Sequence, residues 1–493
     1  MEIPPSHIHA ARLYGVEFAA NPVEAYQEIR RRHGRVAPVL LEGDVPAWMV
    51  LAYRELHHVT SNPQLFGRDS RRWNLWDQIP SDWPLMPFVA WAPAVLLSEG
   101  ADHQRRAGAI SDALEAVDRV ELTRLCERTA DQLIDTFASD GKADLLTQYA
   151  QPLPIMVIAR LFGLPEKEVA GLSADLLLAT TQQEGSIEAN QRAVGVIAAL
   201  VKERRERPGT GLPARLLAHP AAMTDEELTM DMYIMAAAGQ QPTTDWIANT
   251  LRLMLMDDQF SLTLQGGRIS ADHALIEVLW ADSPSQNLVG RWAVQDCELG
   301  GRRIRKGDLL VLGLQAANSD PQVRPDSYTS AGLNRAHMSF ANGEHSCPVP
   351  AREIAEVIAR TAIEVLLDRA PDVELAVPAA VLEWRESVWT RGLNSLPVSF
   401  TPVTEPVRRL SRPTPIARGP LTSHRMLSLY ALYLVTPAQL SSHLLCLRRN
   451  RTCKSVGLVA FTVWSLSLLI VRGLSEAAYA ITGRLPELSG ISR

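Results

Sequence analysis

The residues best suited to chemistry lie together in Phe340-Ala341-Asn342-Gly343-Glu344-His345-Ser346-Cys347, where a single cysteine closes a glycine-containing loop. Gly343 lets the backbone turn without steric cost. An apolar period through Ile354, Ile358, Ala362 and Leu366 predicts a long helix starting near Ala351. A cysteine at a helix N-terminus has its thiolate favoured by the dipole, which suits Cys347 to bind a metal. A free cysteine is also commonly a small buried hydrophobe, so these eight residues alone leave both readings open. A second polar stretch, Ala238-Gly239-Gln240-Gln241-Pro242-Thr243-Thr244, interrupts a long apolar helix running through Met254. Thr224-Asp225-Glu226-Glu227 reads as the capping box that opens that helix. Pro242 removes one helical hydrogen bond and predicts a kink.

Other elements must position these two stretches. Val36 to Ala52 alternates around Gly43 and predicts a small hairpin. A short helix is expected from Tyr53 to Val59, ended by Asn62-Pro63. Residues 109–140, 143–163 and 186–206 carry helical periodicity. Leu299 to Leu314 reads as two short strands around Lys306-Gly307-Asp308. The expected fold is therefore mainly α with a small β region. There is no internal repeat and no low-complexity segment.

At 493 residues, with 46% hydrophobic content, the chain is long enough for one large domain and an extension. Its five cysteines (Cys126, Cys297, Cys347, Cys446 and Cys453) are odd in number and scattered, which fits a reducing compartment without a disulfide framework. The start, Met1-Glu2-Ile3-Pro4-Pro5, lacks the pattern of a signal peptide, so a cytoplasmic location is expected. The net charge of -6 conceals an asymmetry: residues 404–493 carry 12 Lys and Arg against 3 Asp and Glu, and residues 1–403 carry 37 against 52. An acidic body argues against nucleic acid as a partner.

The spacing of Phe340, Gly343, His345 and Cys347 resembles the heme-ligand loop of the cytochrome P450 family. Asn62-Pro63-Gln64-Leu65-Phe66 resembles further family motifs. So do Glu298-Leu299-Gly300-Gly301 with Lys306-Gly307-Asp308, and Ala316-Ala317-Asn318-Ser319-Asp320-Pro321. The resemblance covers roughly residues 15 to 403. It implies a heme domain over 15–403 with the cytochrome P450 fold, followed by a basic, partly hydrophobic extension over 404–493. It implies heme b as cofactor, Cys347 as the axial thiolate of the iron, and His345 facing a heme propionate. His103 and Arg291 are the further propionate partners it suggests, and Arg106 a weaker one, since the family's arginine place is Ala107. It also implies molecular oxygen as co-substrate and electrons delivered by a ferredoxin and its reductase. A cysteine thiolate pushes electron density onto iron and favours O–O cleavage.

Two departures from the family pattern stand out. The oxygen-binding segment usually holds an acid followed by a threonine; here the acid place is Gln241 or Pro242. Thr243 is then the candidate relay hydroxyl and Thr244 the second choice, unless either merely satisfies a backbone carbonyl. The pattern Glu-x-x-Arg is Glu277-Val278-Leu279-Trp280, and the arginine that completes its network corresponds to Gly332. Trp280 is expected to fill the space, with Glu277 protonated or bonded to backbone, and Arg335 the candidate substitute cation. This pattern resembles a Streptomyces subfamily that lacks the same arginine and is encoded beside a sensor-kinase-like protein and a small GTPase. The Arg-rich, Lys-poor composition fits such a genome.

Trp73, Trp76, Trp83 and Trp91 lie where the family covers the heme, so they either wall a pocket for a hydrophobic organic substrate or pack the lid itself. In the extension, the uncharged runs Met426 to Leu447 and Ser455 to Val471 offer membrane contact, flanking a basic loop at Arg448 to Lys454. The alternative is an extension without a selected role. The sequence thus points to a monooxygenase. Its rival is a heme-binding accessory or signalling protein that works with the GTPase and sensor.

Overall fold

The computed structural model describes residues 3–179, 185–256, 271–324 and 332–403. The extension, with the membrane contact suggested for 426–471, lies outside the described residues.

A six-stranded sheet is formed by β1 (Ala11–Arg12), β2 (Val36–Leu41), β3 (Val45–Val50), β4 (Phe66–Gly67), β5 (Leu288–Ala293) and β6 (Leu309–Leu312), in the order β1-β2-β3-β6-β5-β4. The hairpin at Gly43 is β2–β3, antiparallel from Val36 opposite Val50 to Leu41 opposite Val45. Strand β3 runs parallel to β6, and β5 runs antiparallel to both β6 and β4. Every residue of β2 and β3 is buried, because helices and lid cover both faces of the hairpin. Register shifts between Val289 and Arg291, where Gly290 has φ +110°. This bulge re-aims the Arg291 side chain.

The helical side is built from α1 (Gly100–Glu115), α2 (Arg119–Asp135), α3 (Pro152–Phe162), α4 (Glu166–Ala179), α5 (Ser186–Glu206), α6 (Asp225–Met256), α7 (Ala271–Ala281) and α8 (Val349–Arg369). The periodic stretch 109–140 is two helices, because Asp118 caps a new start by accepting from Val120 and Glu121 N–H. Likewise 143–163 holds a strand, a π-helical turn over Leu146–Ala150 and then α3. The largest core packs α2, α3, α6 and α8 through Ile134, Ile158, Trp246 and Ile358, among others. Helix α6 threads that core and reaches 32 residues despite Pro242.

The start of α6 is the reciprocal capping box read from the sequence. Glu227 N–H donates to Thr224 Oγ1 at 3.1 Å, and Thr224 N–H donates to Glu227 Oε2 at 2.9 Å. Replacing Thr224 by Ala should lower stability by about 1 kcal/mol. Urea unfolding of the two proteins measures this, and an unchanged midpoint would refute a stabilising cap.

Candidate functional site

The cysteine loop is held by its own backbone. Cys347 N–H donates to Phe340 O at 3.0 Å and Ser346 N–H to Gly343 O at 3.0 Å. Gly343 has φ +80°, and a Cβ there would stand 2.3 Å from Thr60 O, so both conformation and space require glycine. Ala341 also has positive φ, 57°, a conformation that strains a residue with a Cβ and persists only because its surroundings impose it. Cys347 stands two residues before α8 begins at Val349. Burial pushes its thiol up to about 11 against the pull of Arg352, whose Nε donates to Cys347 O at 2.7 Å. Burial therefore outweighs Arg352 for the thiol alone; a coordinated thiol would be deprotonated.

Four nitrogenous side chains converge beside this loop. His103 comes from α1, Arg291 from the bulge of β5, His345 from the loop, and Arg68 follows β4. The His103 and His345 rings lie 3.9 Å apart between centroids. Arg68 and Arg291 are each only 1% exposed. Arg68 donates through Nε to Leu96 O at 2.7 Å and through Nη1 to Val289 O at 2.8 Å. A Cβ at Gly290 would stand 2.5 Å from Arg68 Nη1, so that glycine makes room for one arginine while its bulge aims the other. Arg68 Nη2, Arg291 Nε, His103 Nδ1 and both ring nitrogens of His345 are buried without a hydrogen-bond partner among the described residues.

This crowding of cations is unfavourable by itself. Burial, then Arg68, Arg291 and Arg106, lower His103 to about 4; burial, then Arg291, Arg68 and His103, lower His345 to about 2. Burial lowers Arg291 to about 10. Glu344 Oε1 lies 3.3 Å from His345 Nε2, and with His103 these three groups have the spacing of a metal site. Two buried guanidiniums repel a cation, so the cluster is instead a cradle for anions. The donor set fits a pair of carboxylates next to a thiolate-bound metal, as the resemblance implies for heme and its propionates.

Arg106 does not contribute a free donor to the cradle. Its Nε donates to Asp231 Oδ2 at 2.9 Å, and its Nη2 donates to Asp231 Oδ1 and to Pro93 O. Asp231 also accepts from Val95 N–H, so the pair ties the segment before α1 to α6.

The threonines are placed differently from the expectation. Thr244 Oγ1 donates to Ala150 O at 3.2 Å, the backbone-satisfying alternative. Thr243 is buried one turn on from Gly239, where a Cβ would stand 2.8 Å from Ile158 Cδ1. Thr244 thus faces the turn before α3. The open side of α6 instead carries exposed Ala238 and half-buried Pro242, flanked by Gln241. Gln241 Nε2 donates to Asp245 Oδ1 at 3.0 Å.

The Glu-x-x-Arg departure also has a structural answer. Arg324 Nη2 donates to Glu277 Oε1 at 2.6 Å, and both side chains are largely buried. Arg335, the expected substitute, is paired with Glu356 at 2.8 Å. Trp280 fills its space as expected at 2% exposure, and its Nε1 donates to Asn334 O at 2.7 Å. Its ring meets His337 edge-on at 6.0 Å, and His337 stands 5.7 Å from Phe340. Asn318 completes the anchor: Nδ2 donates to Leu279 O and Oδ1 accepts from Met338 N–H, joining α7 to the cysteine loop.

Of the four tryptophans, Trp73 and Trp83 are buried in the core under the sheet, and Trp76 packs edge-on against Trp73. Trp91 is exposed beneath the Arg71 guanidinium. The first three thus pack against the sheet and one another. Sequence reasoning missed Arg68, Arg324 and Asp245. Asp245 had a signal, an acid four residues after Gln241 in an apolar helix; the two arginines had none beyond their type.

No family model matches the chain. Among curated proteins it is 27% identical over 400 residues to the polyketide biosynthesis cytochrome P450 PksS of Bacillus subtilis, covering 79% of this chain and 98% of that one. It is 29% identical over 386 residues to a 2-hydroxy-5-methyl-1-naphthoate 7-hydroxylase of Streptomyces carzinostaticus, covering 75% and 92%. Among solved structures, CYP154C4 of a Streptomyces species has a TM-score of 0.72 at 25% identity, covering 79% and 98%. A myxobacterial cytochrome P450 in complex with myristic acid has a TM-score of 0.67 at 27% identity, covering 79% and 98%.

The Arg106–Asp231 pair gives a direct test of how the lid is tied down. Replacing Asp231 by Ala leaves a buried guanidinium with only the long contact to exposed Asp102 at 3.5 Å, and should cost about 3 kcal/mol. A loss below about 1 kcal/mol in urea unfolding would show that the pair does not anchor this segment.

Proposed function

We propose that this chain, which has the cytochrome P450 fold and bacterial cytochromes P450 as its relatives, is a heme-thiolate monooxygenase acting on a hydrophobic organic substrate. The observation that carries the reading is the cradle of unpartnered, buried donors beside the Cys347 loop. When bound, heme b supplies activation of molecular oxygen and insertion of one atom into the substrate. Cys347 would ligate its iron. Arg68 and Arg291 would neutralise its two propionates, and the neutral imidazoles of His103 and His345 would offer them N–H groups. Phe340 packs between His337 and Trp246, and Gly343 keeps the loop low over Thr60.

The open side of α6 then faces the substrate, below a lid packed by Trp73 and Trp83. Relatives named for polyketide and naphthoate chemistry, and a neighbour holding a fatty acid, suit the same hydrophobic class. Electrons come from a ferredoxin and its reductase. The rival reading, a non-catalytic accessory protein beside a GTPase and sensor, rested on two lost groups. Arg324 on Glu277 replaces one of them, so the catalytic reading is preferred.

Dithionite-reduced protein exposed to carbon monoxide should show the Soret band of a thiolate-ligated heme. Cys347→Ser should abolish that band. A band in the imidazole position in the unaltered protein would overturn the assignment. Trp280→Ala should reduce the heme retained through gel filtration and lower the melting temperature. Full heme occupancy in that variant would show that the indole does not support the loop.

A further inference from the structure

Ala238, Gln241, Pro242 and Asp245 stand at i, i+3, i+4 and i+7 on α6 and share one stripe. Ala238 is exposed and Pro242 half-buried, so open space borders the stripe at these two residues, and Gln241 lies buried between them. Gln241 is 4% exposed. Asp245, fully buried, accepts from Gln241 Nε2 through Oδ1 and from Arg385 Nη2 through Oδ2, the latter at 2.7 Å. Arg385 is fixed in turn, with its backbone N–H on Gly392 O at 2.8 Å and its Nη2 on Thr390 Oγ1 at 3.1 Å. A Cβ at Gly392 would stand 2.0 Å from Asp245 Oδ1, so the segment carries glycine where the carboxylate sits. Among the charged groups on segments packed against this part of α6, Arg385 meets Asp245, whereas Arg252 and Arg391 pair with Asp282.

Burial pushes the Asp245 carboxyl up while Arg385 and the Gln241 amide pull it down; in the ionised form that Arg385 favours it only accepts hydrogen bonds, and so takes the Nε2 end of the amide. Nε2 turns toward Asp245 and Oε1 turns away, and Oε1 is buried with no partner among the described residues. A buried acceptor left unpaired is costly, so it selects for a molecule that brings it a donor.

We propose that Gln241 Oε1 is a specificity-determining acceptor on the open stripe, taking a hydrogen bond from an O–H or N–H group of the bound organic molecule, with Asp245 and Arg385 as its positioning residues. The inference rests on the monooxygenase reading, which places that molecule against α6. It adds a polar requirement to an otherwise hydrophobic substrate.

The test uses the full-length, heme-loaded protein and two probes of equal size. 4-Phenylimidazole carries a ring N–H, and 1-phenylimidazole lacks one. Dissociation constants are read from the Soret shift. Gln241→Leu should weaken the first probe about 5-fold relative to the second, the size of one lost hydrogen bond. Equal weakening of both probes, or no change, overturns the proposal. A second readout needs no variant. As pH falls, protonated Asp245 becomes a donor, turns the amide over, and should lower the preference for the N–H probe, once each probe's constant is corrected for its own protonation. Asp245→Asn should remove that pH dependence, and a preference independent of pH in the unaltered protein counts against the proposal. If neither probe shifts the Soret band of the unaltered protein, the monooxygenase reading fails first and the proposal falls with it.

Discussion

The arrangement of this molecule follows from one electrostatic constraint, the burial of two guanidiniums and two imidazoles side by side. Charges taken out of water are expensive unless paired, and here several N–H groups have no acceptor from the protein. A ligand carrying anions would meet the constraint. The fold's local peculiarities serve that end: the bulge at Gly290 seats both arginines, α1 delivers His103, and the tight turn at Gly343 brings His345 against it.

Next to that cradle the cysteine loop needs a rigid backing. An ionic network centred on Glu277 is one solution, and this chain keeps only part of it. Arg324 supplies the charge from a different loop, while Trp280 supplies volume and a single hydrogen bond. An indole filling the place of a guanidinium removes a buried charge that would need its own partner, a substitution that can be neutral when the space is packed. The chain through His337 to Phe340 then carries the support to the loop by ring contacts. On the other side of α6 the same economy of charge appears. Asp245 is buried but matched by Arg385, so the helix keeps one acid without an uncompensated charge.

Much of this was legible in the residues. The capping box, the hairpin around Gly43 and the helix after Cys347 depend on contacts within a few residues, and local sequence specifies such contacts well. Helix limits were less legible: 109–140 carries one unbroken period, yet Asp118 as an N-cap divides it, because the side chain's competition for backbone N–H groups outweighs the period. The threonines show a different limit. Thr243 and Thr244 have the right chemistry, but Thr244 is turned to the carbonyl of Ala150 in the turn before α3, and Pro242 is less buried than either threonine.

The sequence by itself determined the helical class, the loop that presents Cys347, the need for glycine at 343, and the resemblance that suggests a heme-thiolate enzyme. Only the tertiary structure decided which cations gather and which are already paired. Arg106 and Arg68 look alike along the chain, yet one is neutralised by Asp231 from α6 and the other keeps a donor toward the cradle. Likewise Arg324 rather than Arg335 reaches Glu277. These choices depend on groups brought together from distant parts of the chain, and the free energy of a buried charge is set by such neighbours, not by its own residue type.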